Sequence, residues 1–228
     1  MKSNPVIEER MAYQYRQPIA GQAIAVQSLL GQVLGITGLG LVITALASAL
    51  FQNTVSYGIG LIAMIVGFVL LFVINRVREN PAVSLMLFYV FTFLEGVGLA
   101  PVIGNYVRTL GSSVVTEAAA TTGLGMFALA AIVYATGLDL RRFAGILNMA
   151  LMGLIVIGII SIFTRWVHPS LYSWITLIIF TGYVLIDFAR IRAGGDGLTP
   201  VQLSISIYLD AINIFLALLQ LFGSRNRD

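Results

Sequence analysis

Two aspartates stand where a carboxylate is costly: Asp187 in YVLIDFARIR and Asp210 in SISIYLDAINIF, each inside a long apolar run. On insertion scales an acid at membrane depth costs ~2.5 to 3.5 kcal/mol, so it marks a functional site by default. A short hydrophilic stretch joins the two runs, which makes them antiparallel neighbours and lets the acids meet. Two carboxyls in a poorly solvated place share protons and titrate as a unit. The chemistry on offer is proton binding and cation attraction.

The second run carries an internal pattern. Ser206, Asp210, Asn213, Ala217 and Gln220 follow one another by four, three, four and three, which puts them on one helical face. A spanning helix cannot turn such a stripe toward lipid, so it faces protein or a wet path, and this helix is expected at the centre of the others. Hydrogen bonding between helices accounts for Ser, Asn and Gln at ~0.6 kcal/mol per contact. It does not account for Asp210, since an amide would serve stability at less cost. Asp187 lies one turn before Arg190, so pairing with Arg190 or Arg192 as an anchor at the span end competes with a functional role. Glu95, in FTFLEGVGLAPVIG, is a third acid within an apolar run. With Ser206 and Asn213 it is a candidate for a cation path, and Gly96, Gly98 and Pro101 beside it are expected to loosen or kink their helix. Arg76 and Arg78 are topology determinants. Either could also reach an aspartate on a neighbouring helix and form a breakable ion pair.

These residues need elements to position them. The chain is 58% apolar and 10% charged, with no cysteine and a net charge of +3, where an ordinary soluble domain has about a quarter of its residues charged. Apolar runs long enough to cross a ~30 Å hydrocarbon core fall at 29–51, 55–75, 82–104, 114–136, 143–164, 171–191 and 200–222. They are continuous rather than alternating, and lipid obliges the backbone to satisfy itself, so the expectation is an all-α membrane protein of seven spans. The expected layout is a polar tail over 1–28, a seven-helix domain over 29–223 and a short tail over 224–228. No apolar region of a cleavable signal precedes the first span, which is expected to act as its own insertion signal.

Positive residues set the orientation. Lys2, Arg10, Arg16, Arg76, Arg78, Arg141, Arg142, Arg190 and Arg192 make nine on one side, against four on the other, Arg108, Arg165, Arg225 and Arg227. This favours a cytoplasmic N-terminus and an outer C-terminus. Asp187 then lies near the cytoplasmic end of its helix, and Asp210 roughly 15 Å into the next at 1.5 Å per residue.

Missing residues exclude several chemistries. No lysine lies in a span to hold retinal. The single histidine, His168, sits in a connection, which removes a Ser–His protease and an H-E-x-x-H zinc site. No GxxxxGK[ST] loop is present, and no GxGD stretch accompanies either aspartate, so an intramembrane aspartyl protease is a weak alternative. The positive residues are scattered at span ends, which argues against nucleic acid. An enzyme is not expected, nor a bound cofactor.

YVLIDFARI followed by SISIYLDAINIFLALLQLFG resembles the closing signature of the Bax-inhibitor-motif (TMBIM, YccA-like) membrane proteins, and GVGLAPVI is similar to their third helix. The resemblance runs from about residue 25 to the end. It implies six helices around a central seventh and a calcium leak that depends on pH. It further implies that Asp187 and Asp210 form a proton-sharing sensor, latched by a basic residue at the end of the second span, here Arg76 or Arg78. On the calcium leak that the resemblance implies, Asp187 and Asp210 are also the candidate calcium contacts, since calcium takes oxygen ligands from carboxylates, carbonyls and water. The second span lacks the acid that bacterial relatives can carry there. The expected protein is a pH-sensitive calcium (cation) leak channel of a bacterial plasma membrane, with the bilayer, calcium and protons as its partners. The alternative is a regulatory protein that binds a membrane protease or another membrane partner and conducts nothing itself.

Overall fold

The computed structural model describes the backbone of residues 5–164 and 167–225, with side chains from residue 25 onward apart from residue 162. Lys2, Arg165 and Arg227 of the charge count, and residues 226–228 of the expected C-terminal tail, lie outside the described residues, as do the side chains of Arg10 and Arg16. Seven long helices follow in order: α1 (Pro5–Phe51), α2 (Tyr57–Arg76), α3 (Pro81–Leu110), α4 (Ser112–Thr136), α5 (Ala144–Thr164), α6 (Pro169–Arg192) and α7 (Pro200–Arg225). All seven are long and apolar enough to span a bilayer, the first over Ala25–Phe51. This is an all-α membrane protein.

Local chemistry sets the helix ends. Asn80 caps α3 by accepting from the Val83 N–H at 3.2 Å, with Pro81 next in line. Thr199 and Gln202 form a reciprocal capping box before α7: the Gln202 N–H donates to Thr199 Oγ1 and the Thr199 N–H to Gln202 Oε1. Gly137 stops α4 in the left-handed conformation at φ 73°. The turn from α6 to α7 runs through Gly194, Gly195, Asp196 and Gly197, all at positive φ. It is this reversal that lays the two aspartate-bearing helices side by side.

Packing puts α7 at the centre. It touches α1, α3, α4 and α6 directly, whereas α2 leans on α3 and α5 on α6. Its buried residues, among them Leu203, Ser204, Ile207, Tyr208, Asp210, Ile214 and Leu218, take up well over half of its circumference, while the face of Leu209, Asn213 and Gln220 is half-buried. Tyr208 is fully buried, edge-on to Phe88 and Phe91, with its hydroxyl 2.7 Å from Thr44 Oγ1. Conversely, α2 and α5 present Phe68, Phe72, Met149 and Met152, all more than half exposed, to the surroundings. In a bilayer these are lipid-facing chains.

Two differences from the sequence reading have physical causes. Helix α3 runs to Leu110 rather than 104 and passes through Pro101 unbroken, because a helix does not end where the hydrocarbon does. The glycines beside Glu95 serve close packing. A Cβ on Gly96 would stand 2.5 Å from the Thr44 carbonyl oxygen of α1, and one on Gly98 would collide with Met64 of α2. Small residues let backbones approach where no apolar driving force separates helix from lipid. The backbone of the expected N-terminal tail is also helical from Pro5, continuous with α1.

Candidate functional site

Asp187 is fully buried and Asp210 is 4% exposed. Asp187 sits in the last turns of α6, where Arg190, one turn on, donates from Nη1 to Asp187 Oδ1 at 2.8 Å. From α7 the Ser206 hydroxyl and the Asp210 carboxyl come up to the same group. Helix spacing makes this possible: Ser206 and Asp210 are four apart and share the face of α7 turned to α6. The two acids therefore meet, as the sequence predicts.

The contact is incompletely satisfied. Asp187 Oδ2 and Asp210 Oδ2 are both buried and find no hydrogen-bond donor among the described residues. An ionised carboxylate only accepts, so two of them offer each other repulsion alone. One proton shared by the two carboxyls would turn their contact into an O–H···O bond. The charge count agrees: two carboxyls with one proton carry a single negative charge, and Arg190 supplies a single positive one. Either more or fewer protons leave a buried charge uncompensated, which is costly.

Tyr183 completes this site, and the sequence reading passed over it. It precedes Asp187 by four residues, so it lies on the same face of α6, within electrostatic reach of both aspartates. Its hydroxyl donates to Asn148 Oδ1 on α5. The i, i+4 spacing from Asp187 is the signal that could have found it.

The remaining candidates are distributed elsewhere. Arg76 and Arg78 are exposed and make no ion pair among the described residues. Arg190, read from the sequence as an anchor at the span end, is the cation on the pair. Asn213 lies one turn beyond Asp210, lines a groove along α7, and donates from Nδ2 to the Leu209 carbonyl at 2.7 Å. Glu95 is 9% exposed and lies against Gly67 of α2, on a helix that touches α7 but apart from the aspartate pair. Among the described residues it makes no hydrogen bond or ion pair. No three His, Cys, Asp or Glu side chains gather into a metal-holding cluster among the described residues, so the aspartate pair is a two-carboxylate site.

Comparison with known proteins fits this geometry. The sequence model of the family described as inhibitor of apoptosis-promoting Bax1 matches residues 26–227. The chain belongs to the Bax inhibitor family. Among its relatives, the inner membrane protein YbhL of Escherichia coli (strain K12) is 28% identical, covering 92% of this chain and 95% of the relative. An uncharacterized protein of Borreliella burgdorferi is 30% identical over 87% of this chain and 93% of its own length. The protein PA2604 of Pseudomonas aeruginosa is 27% identical over 96% and 99%. Family membership thus covers all seven spans and both aspartates.

Proposed function

We propose that this Bax-inhibitor-family protein is a pH-sensitive calcium (cation) leak channel of a bacterial plasma membrane, gated by a proton that Asp187 and Asp210 share. The membrane assignment follows from the name of YbhL together with the seven spans here. The positive residues favour an N-terminus in the cytoplasm, which puts the pair toward that side. One observation carries the reading: a buried pair of acids from consecutive helices, held by a single arginine, with two oxygens that find no donor among the described residues and that a shared proton would serve.

Near neutrality one proton and Arg190 balance the pair. In acid both carboxyls are neutral and Arg190 loses its anion. In alkali both are ionised, and repulsion drives α6 and α7 apart. Each proton count has its own preferred packing, so protonation biases a conformational equilibrium. Two carboxylates with Ser206 nearby attract calcium without enclosing it, as conduction requires. The pair conducts and senses; it catalyses nothing.

The test is calcium flux into liposomes across pH for the parent, Asp187→Asn and Asp210→Asn. The reading expects flux that varies with pH in the parent and a flattened profile in both variants. Unchanged profiles in both would remove the sensor. Absence of flux in the parent, with a stoichiometric membrane partner copurifying, would replace the channel with a regulatory binding protein.

A further inference from the structure

A groove of ≈1080 Å³ runs along α6 and α7, bounded by α5 on one side and by Phe68 and Leu71 of α2 on the other. Its mouth lies at the α5–α6 connection beside His168, which caps α6 where that span begins. From the mouth the floor follows α7 from Gln220 to Leu209, and α6 from Pro169 to Phe180. Each stretch rises roughly 16 Å, at 1.5 Å per residue. That is about half of a ~30 Å hydrocarbon core, the depth of one leaflet. The groove is also open sideways. Phe68 and Ile155 line it and are exposed, as are Met152 and Ile159 beyond it on α5. Its long side therefore faces the membrane interior.

The surface it offers is chiefly hydrocarbon. Leu71, Leu151, Leu154, Val167 and Leu216 line it, and polar side chains of the floor bond within the protein. Thr176 donates to the Tyr172 carbonyl at 2.9 Å and Asn213 to the Leu209 carbonyl at 2.7 Å, while Gln220 accepts from the Tyr106 hydroxyl at 2.8 Å. Water does not fill an apolar cavity. An empty one deprives its lining of the dispersion contacts that an occupant would make. The occupant must therefore be apolar, slender and present at membrane depth. A partner's spanning helix would need a bed about twice as long. A single hydrocarbon chain entering from the His168 side fits both the length and the walls.

We propose that the groove binds one acyl chain of a phospholipid from the leaflet on the His168 side, with the ester end at the mouth and the chain running inward toward Leu209. The chain completes the wall that α2 and α5 leave open, and it covers the half-buried face of α7 that carries Leu209, Asn213 and Gln220. The site holds whether or not the aspartate pair conducts.

Asn213 and Leu216 stand on the central helix and line the groove, so a probe confined to lipid reaches them only from within it. The parent protein is placed in bilayers of a phospholipid that carries a photoactivated diazirine on one chain, and the adducts are mapped by peptide mass spectrometry. A diazirine near the chain's end should mark α7 around Leu209 and Asn213, and one near the ester should mark it around Leu216 and Gln220. Adducts on exposed Met152 of α5 serve as the standard for ordinary lipid contact. Adducts on α5 with none on α7 would show a groove without a chain and overturn the proposal. So would the opposite order of depth along α7. Native mass spectrometry of the detergent-extracted protein then separates a site from passing contact. One phospholipid should stay on the parent and on Met152→Trp, a bulky change outside the groove, and be lost from Asn213→Trp, which fills it. Lipid lost from the parent as well, or kept by Asn213→Trp, would overturn the site. If Asn213→Trp does not fold, the adducts and the retained lipid of the parent decide alone.

Discussion

The molecule contains the same chemical set twice, two aspartates and one arginine, once in solvent and once in the membrane. At the surface, Arg141 donates to Asp139 at 2.7 Å and to Asp196 at 2.6 Å, tying the α4–α5 connection to the α6–α7 turn. All three side chains are a third or more exposed. In the bundle, Arg190 donates to Asp187 alone, and Asp210 faces its partner acid with no cation of its own. At the surface the surplus negative charge is dissolved by water. In the bundle nothing dissolves it, and on the proposed reading a shared proton takes its place. Burial, rather than residue type, separates the cluster that fastens two connections from the one proposed as a sensor.

The largest effect should separate the two arginines. Arg190→Ala strands the buried Asp187, and breaking a buried pair costs about 3–5 kcal/mol. Arg141→Ala breaks two exposed contacts, and exposed pairs contribute little. Thermal unfolding of the detergent-solubilised protein should show a large drop for the first and a small one for the second. Equal drops would mean that water reaches the aspartate pair and that the contrast drawn here is false. If Asp187→Asn is combined with Arg190→Ala, most of the loss should be recovered, since the one acid left in the site, Asp210, can hold a proton and stay neutral.

Next comes Asp210→Asn. The new amide donates to Asp187 Oδ2 without a proton, so the orphaned oxygen gains a partner worth about 1–3 kcal/mol where it was unserved. The variant should be more stable than the parent in alkaline solution and nearly indifferent to pH where the parent is not. Lower stability at every pH would show that the two carboxyls do not share a proton.

Much of this contrast was legible in the sequence. Apolar runs near twenty residues mark spans because hydrocarbon thickness demands that length, and the seven expected spans fall on the seven helices. Asp187 and Asp210 stood out because acids are rare there, and their meeting followed from a short turn between consecutive helices. Arg190 as the cation was only one of several options, because reach across a bundle is decided by depth and tilt, which hydropathy does not encode. The extension of α3 to Leu110 was hidden for a similar reason: Asn105 and Arg108 end the apolar run without ending the helix. The groove was invisible, since it arises where α2 and α5 do not close on each other, and no local pattern records a missing contact. Tyr183 and Phe180 look like ordinary aromatic residues of a span until α7 is placed beside them.

Glu95 sharpens the comparison as an acid in the membrane with neither arginine nor second carboxyl. Lying against Gly67 between α2 and α3, it has no charge to balance. Glu95→Gln conserves shape and should change stability by less than about 1 kcal/mol, with the pH profile of calcium flux unaltered. A displaced profile would make Glu95 part of the sensor and extend the ion path to α3.

The smallest effect lies at the surface, where pH should act in a range far from that of physiology. Hydrogen bonds from the Arg141 side chain hold the Asp139 carboxyl at about 2, below its ordinary 3.8. A carboxyl that binds its proton less readily when folded stabilises the fold fully above 3.8 and loses that contribution as pH falls through about 2. Asp139→Asn should therefore unfold at a slightly lower temperature than the parent at neutral pH, and the two curves should converge in strong acid. An offset that persists below that range would mean that Asp139 acts by shape, through its bond to the Arg141 N–H, and not by charge. Convergence would place the titration of this cluster wholly in acid and separate it from that proposed for the buried pair, the one cluster of the two in which no water stands by to take up the charge.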